Sequence, residues 1–133
     1  MKQKLIYIAS PYSHKSKSVM KNRVATVSKV AAILTKKYKF AMFLPITQSA
    51  EMVKYEPSLG GDFKSWESID IFMVKEKADE VWVILMEGYD TSIGVTAEIE
   101  CARRHNKPIK YFNTQGICIW IENKFKNKRK VAC

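Results

Sequence analysis

The chain has 133 residues, of which 47% are hydrophobic and 27% charged. A chain of this length forms one domain and can bury a core without structural disulfides or metals. No apolar run approaches the ~20 residues of a membrane span, and the apolar segment near the N-terminus is too short for a signal peptide. We therefore expect a soluble, single-domain protein.

The net charge of +10 favours anionic partners. Part of it lies in KFKNKRK, so we divide the chain into an α/β domain over residues 1–123 and a basic C-terminal tail over residues 124–133. A solvated tail is the simpler interpretation. Nucleic-acid binding is not expected, because beyond Phe125 no aromatic residues are interleaved with the basic ones.

The cysteines are Cys101, Cys118 and Cys133, which are odd in number and form no C-x-x-C pair. Neither a disulfide framework nor a zinc site is predicted from this spacing. A reducing cytoplasm fits such a chain best.

Apolar runs and helical periods alternate along the chain. The first run, KLIYIAS at residues 4–10, predicts a buried strand that ends at Pro11. The next elements are, in order, an amphipathic helix over 16–37, a strand over 40–45 (FAMFLP), and a loop with at most one short helix over 46–65. They are followed by a helix over 65–79 capped by Ser65, the strand VWVILM over 81–86, a helix over 92–106, a strand over 107–112, and a final apolar segment, ICIWI.

Strands that alternate with helices of ten or more residues predict a parallel sheet covered on both faces. Such sheets bind ligands at the carboxyl ends of their strands. Three loop stretches should therefore meet at one crevice, namely ASPYSH, LPITQ and MEGYDTSIG.

The crevice lacks the usual nucleotide motifs. The chain has no G-x-G-x-x-G after its first strand and no G-x-x-x-x-G-K-[ST], so no nicotinamide or ATP-dependent chemistry is predicted, and neither a cofactor nor a metal is expected. A helix that begins at Ser92 would instead direct free N–H groups at an anion, and Gly94 would allow the anion to approach closely. A plain helix cap is the structural alternative.

Glu98 stands on the apolar stripe of this helix, next to Val95, Cys101 and Ala102. An unpaired buried carboxylate is expensive, so Glu98 should have either a cation partner or a reaction to perform. Glu100 lies one step further round the helix and is expected to be an ordinary surface residue.

Two further residues complete the candidate site. Asp70 offers a second carboxylate, although an acidic residue early in a helix often only compensates the helix dipole, and Tyr7 could be a plain core residue. Two carboxylates and a tyrosine around an anion site favour glycosyl chemistry, in which one carboxylate attacks or stabilises an oxocarbenium-like carbon.

Several motifs occur in a specific order: IYIASP, the W-x-x-x-D of WESID, the AD before VWVILM, and S-x-G-V-x-x-E followed by Ala102 and KPI. In these motifs, from about Lys4 to Phe112, the chain resembles the nucleoside 2-deoxyribosyltransferase and nucleotide N-hydrolase superfamily. Its start, IYIASPYSH, is similar to a subgroup of unassigned function within it. The resemblance implies a single-domain Rossmann-like (flavodoxin-like) parallel sheet flanked by helices, and a homo-oligomer.

The resemblance also implies roles for individual residues. Glu98 would be the nucleophile that attacks C1′ of the sugar, Tyr7 would orient its carboxylate, and Asp70 would contact the sugar or base and handle the proton. A serine at position 92, rather than the aspartate of the transferases, matches the nucleoside-monophosphate hydrolases.

The loop after the first strand departs from the glycine-rich loop of that superfamily. Ser10, Pro11 and His14 are its candidate phosphate or base contacts.

The sequence therefore predicts an N-glycosidase that cleaves the base–sugar bond of a (deoxy)nucleoside 5′-monophosphate. Two alternatives remain open. One is a nucleoside 2-deoxyribosyltransferase that exchanges bases, and the other is a nucleotide-binding or sensor protein without catalysis. In each case the partner is a small-molecule nucleotide or nucleoside, with no role for a membrane.

Overall fold

The computed structural model of the protein describes residues 2–121, which contain five strands and four α-helices. The elements are β1 (Leu5–Ala9), α1 (Lys17–Tyr38), β2 (Ala41–Phe43), α2 (Pro45–Tyr55), α3 (Phe63–Phe72), β3 (Glu80–Ile84), α4 (Ile93–Arg104), β4 (Ile109–Phe112) and β5 (Cys118–Ile119). A 3₁₀ turn, Pro57–Leu59, precedes α3, and a π-helical turn, Met73–Lys77, continues it. The predicted basic tail, residues 124–133, lies outside the described residues.

The five strands form one sheet in the order β2-β1-β3-β4-β5. The first four strands are parallel, and β5 runs antiparallel to β4. This is a Rossmann-like α/β architecture, as predicted. Because β1 and β3 are the central neighbours, the loops that follow them open at the same edge of the sheet.

Both faces of the sheet are buried, and alternate strand residues serve each face. On β1, Ile6 and Ile8 pack in the cluster that includes Val30 and Leu34 of α1. Tyr7 and Ala9 face the opposite cluster, which includes residues of α4. The strand period therefore turns Tyr7 towards the layer that carries Glu98.

The segment between β2 and α3 differs from the prediction. It was expected to be mostly loop, but Pro45 begins an 11-residue helix, α2. Proline suits the first turn of a helix, where its missing N–H costs no hydrogen bond. The same proline explains why β2 ends at Phe43 rather than at residue 45.

The predicted serine cap of α3 is wrong. The helix begins at Phe63, after Asp62, and the hydroxyl of Ser65 donates a hydrogen bond to the Asp62 carboxylate. Ser65 is thus a residue of the first turn.

The burial of one carboxylate, Glu80, is explained by the cations and the donor around it. Glu80 on β3, only 4% exposed, accepts hydrogen bonds from Lys4 Nζ and from Trp82 Nε1 (2.8 Å), and Lys110 Nζ lies 3.6 Å away. Burial alone would raise the pKa of Glu80, but these neighbours hold it below the usual value. Glu80 begins its strand, so it lies at the edge of the sheet opposite the crevice.

Cys101 is a buried free thiol. Among the helices of residues 2–121, none combines the length and apolar character that crossing a membrane requires. The same stretch contains no group of three or more His, Cys, Asp or Glu residues arranged to hold a metal ion.

Two neighbouring residues on α1 differ in burial, which predicts different losses of stability when each is replaced by alanine. Leu34 is fully buried and Ile33 is 45% exposed. We expect Leu34→Ala to lower the free energy of unfolding by about 2–5 kcal/mol, because it leaves a cavity between α1 and the sheet. Ile33→Ala should cost about 0.5 kcal/mol or less. Urea unfolding of both variants measures the difference, and equal losses would contradict this account of the core.

Candidate active site

A crevice of about 690 Å³ opens at the carboxyl ends of β1 and β3. Its walls come from the loop after β1, from α1, α2 and α3, and from the turn that leads into α4. The three stretches that were predicted to converge all contribute, since Ser10, Ile46 and Ser92 line it together.

Tyr7 and Glu98 form a buried pair beneath this crevice. The hydroxyl of Tyr7 on β1 donates a hydrogen bond to Oε2 of Glu98 on α4. Tyr7 is 0% exposed and Glu98 4%. The prediction that Glu98 lies on the buried face of its helix is thus confirmed. Within residues 2–121 no Lys or Arg pairs with Glu98, so an ion pair does not explain its burial there.

Three influences act on the pKa of Glu98, of which two raise it and one lowers it. Burial raises its pKa well above the usual range, the hydrogen bond from Tyr7 acts in the other direction, and the charge of Asp70 raises the pKa further. The pKa of Tyr7 is also well above its usual value, first because of burial and then because of the Glu98 charge. The pair therefore holds a proton tightly.

Of the two carboxylates predicted for the site, Asp70 is the one that lines the crevice. It is 8% exposed, and burial raises its pKa to about 6. It lies beyond the first turn of α3, so compensation of the helix dipole at the N-terminus does not explain it. Its charge influences both Tyr7 and Glu98, which do not line the crevice themselves.

The loop after β1 contributes two of its three predicted contacts. The Ser10 hydroxyl lines the crevice, is 6% exposed, and has no hydrogen-bond partner among the described residues. His14 also lines the crevice, and its Nδ1 accepts the N–H of Ser16 (2.9 Å), which leaves Nε2 to donate. Pro11 is buried and does not line the crevice.

Ser92 caps α4 as predicted. Its Oγ accepts the N–H of Val95 (3.2 Å), and its carbonyl accepts the N–H of Thr96 (3.0 Å). The N–H groups of Ile93 and Gly94 have no partner in the described part of the chain, so two free donors lie at the positive end of the helix dipole.

Gly94 lines the crevice, but the close approach it permits is to protein. A Cβ at this position would lie 3.0 Å from the Phe63 ring, so the missing side chain lets α4 pack against α3.

Arg23 is the residue of the site that sequence reasoning missed. Its Nη1 donates to the carbonyls of Tyr12 (3.3 Å) and Ser13 (2.9 Å), and its Nη2 donates to that of Glu87 (3.3 Å). The guanidinium thus joins the loops after β1 and β3. Its sequence signal was an arginine within the apolar stripe of α1, at a position where a core residue is expected.

A second cavity of about 350 Å³ adjoins the crevice and shares His14 and Arg23 with it. Its other walls are mainly polar residues of α1, together with Met86 and Glu87.

A family model described as a domain of unknown function (DUF1937) matches residues 4–114. None of the curated proteins matches the chain.

The raised pKa of Asp70 predicts a pH-dependent loss of stability. Because the folded protein holds this proton more tightly than the unfolded chain, its contribution is complete below the usual pKa of 3.8 and is lost as the pH rises to about 6. Relative to Asp70→Asn, the wild type should therefore lose up to roughly 3 kcal/mol between about pH 4 and pH 7. Urea unfolding of both proteins across this range measures the effect, and a difference that does not change with pH would contradict it.

Proposed function

The chain belongs to the DUF1937 family, and from its crevice we propose that it is an N-glycosidase that cleaves the base–sugar bond of a (deoxy)nucleoside 5′-monophosphate. The observation that carries the proposal is the buried Tyr7–Glu98 pair, which lies within the electrostatic influence of Asp70 and has no cation partner among the described residues. Burying an acidic group without a cation partner costs stability, and a chemical role explains why the chain retains Glu98 there.

The reacting form of the proposed site has Glu98 ionised and Asp70 protonated. Because burial raises the pKa of Glu98, this form arises when the proton of Glu98 passes to the Asp70 carboxylate. A carboxylate oxygen of Glu98 attacks C1′, the bond from C1′ to the base nitrogen breaks, and the base leaves with the proton of Asp70. Water then attacks C1′ of the glycosyl ester, gives its proton to Asp70, and releases Glu98 as a carboxylate. Tyr7 supports the attack because its hydrogen bond orients Glu98 and favours the ionised form.

The start of α4 provides donors for the 5′-phosphate. The hydroxyl of Ser92, the free N–H groups of Ile93 and Gly94, and the unpartnered hydroxyl of Ser10 all lie along the crevice. Anions are favoured at such a helix end by its dipole and its free donors together. These groups support a nucleotide rather than a nucleoside as the ligand.

A second candidate function is nucleotide binding without turnover. The observation that favours it is that Glu98 is only 4% exposed and does not line the crevice, whereas Asp70 does. In such a protein the carboxyls would shape the binding site without reacting. Transfer of the sugar to a second base is the third possibility, and it uses the same glycosyl ester.

We expect the wild type to release free base from at least one member of a panel of nucleoside 5′-monophosphates, measured by liquid chromatography. Glu98→Gln should lower the rate roughly 10³-fold or more, because an amide is a poor nucleophile. Glu100→Gln is the matched control. Glu100 lies two residues away on the same helix, forms a partly buried pair with Arg103 and does not line the crevice, so its substitution should not affect the rate.

Base release at an unchanged rate in Glu98→Gln would contradict the proposed nucleophile. Nucleotide-dependent thermal stabilisation without base release would indicate binding alone. Exchange of the base when a second base is supplied, with little hydrolysis otherwise, would indicate a transferase.

The hydrogen bond to Glu98 gives a second kinetic prediction. Tyr7→Phe should lower kcat about 10- to 100-fold, the value of a hydrogen bond to a charged group, with little change in KM. Tyr111→Phe is the control, because Tyr111 packs against the same core cluster on β4. Equal effects of the two substitutions would assign Tyr7 to packing alone.

A further inference from the structure

We propose that Arg23 is the cation that recognises the anionic group of the ligand, and that it sets the preference for a nucleotide over a nucleoside. This inference rests on the proposed nucleotide ligand and goes beyond it. It assigns the discrimination to one side chain on α1, outside the loops that carry the other candidate contacts.

The guanidinium is held in place before any ligand arrives. Two of its hydrogen bonds go to the carbonyls of Tyr12 and Ser13 after β1, and a third goes to the carbonyl of Glu87 after β3. A planar group fixed at three points loses little further freedom on binding. Arg23 therefore offers a preorganised donor to whatever enters the crevice.

Its positive charge is not neutralised by a carboxylate. Arg23 is half-buried, and none of the ion pairs within residues 2–121 includes it. Its Nε–H and one Nη2 hydrogen also have no acceptor in this part of the chain. A guanidinium with free donors and only carbonyl partners is suited to a phosphate oxygen, because hydrogen bonds between charged groups are the stronger kind.

A glycine in the loop after β3 provides the space that the Arg23 guanidinium occupies. Gly88 has φ +94°, and a Cβ at this position would lie 2.5 Å from Nη2 of Arg23. The chain thus places a residue without a side chain, in a conformation that favours glycine, where the guanidinium approaches the β3 loop.

The charges that line the crevice are divided between elements. Its three acidic residues, Asp62, Glu67 and Asp70, come from α3 and the residue that precedes it, and one lysine of α3, Lys64, leaves this wall with an excess of negative charge. Arg23 comes from α1 and lies where the crevice meets the second cavity. An anion is repelled from the α3 wall and attracted to Arg23. Together with the donors at the start of α4, this division favours a nucleotide whose phosphate lies between Arg23 and that helix start, with its sugar towards Asp70.

The test compares two affinities in one protein. We would measure, by calorimetry, the Kd of the nucleoside 5′-monophosphate that gives the largest thermal stabilisation, and the Kd of the corresponding nucleoside. The wild type should bind the monophosphate more tightly. Arg23→Met should reduce the ratio of the two Kd values about 10- to 100-fold, the usual value of a hydrogen bond to a charged group. Lys21→Met removes one positive charge from an exposed position of α1 that lines neither cavity, and should change the ratio less than about twofold.

The ratio of the two Kd values distinguishes a loss of phosphate recognition from a general loosening of the site. Loops loosened by Arg23→Met would weaken both ligands alike and leave the ratio unchanged. Arg23→Lys, which keeps the charge but lacks the planar fork, should give an intermediate ratio.

An unchanged ratio in Arg23→Met would overturn the inference, and so would a wild type that binds the two ligands equally or binds neither at millimolar concentration. Base release plays no part in this comparison. The inference about Arg23 therefore holds even if the protein binds nucleotides without turning them over. If base is released while the Kd ratio does not depend on Arg23, this inference is wrong but the proposed function is not.

Discussion

The site depends on one buried interaction, the hydrogen bond between Tyr7 on a central strand and Glu98 on α4. Glu80 is equally buried but has Lys4 and Lys110 to offset the cost, whereas the pKa of Glu98 is raised because no cation offsets its burial within the described chain. The bond ties α4 to the sheet, and the packing of Phe63 against Gly94 ties α3 to α4. The positions of Asp70 and of the α4 N-terminus both follow from these contacts.

The crevice also combines acidic groups on one side with hydrogen-bond donors and a positive charge on another. Carboxyl groups with raised pKa values lie on and beneath the α3 side, and free donors lie at the start of α4 and on the guanidinium of Arg23. A ligand with an anionic end and a bond sensitive to acid catalysis is complementary to both the donors and the acidic groups. A parallel sheet brings such groups together because all its crevice loops leave from the same edge.

Much of this could be predicted from the sequence, and the exceptions have physical reasons. The run VWVILM gave β3, and helical periodicity placed Glu98 on a buried face, because both signals come from burial itself. The sequence allows one short helix after β2 but does not place α2, because Pro45 suggests the end of a strand as readily as the start of a helix. Arg23 interrupts the apolar stripe of α1, but it was not assigned to the site because its partners are backbone carbonyls, which side-chain patterns do not identify.

The distance along the chain between Tyr7 and Glu98 has a consequence for folding. The two residues are 91 positions apart, so their bond forms only after almost the whole domain has come together. A growing chain that has emerged only as far as β3 contains Tyr7 and Asp70, but the buried tyrosine hydroxyl has not yet met its partner. Closure of the domain and formation of the buried Tyr7–Glu98 pair are therefore one event, and a partly folded chain does not contain this pair.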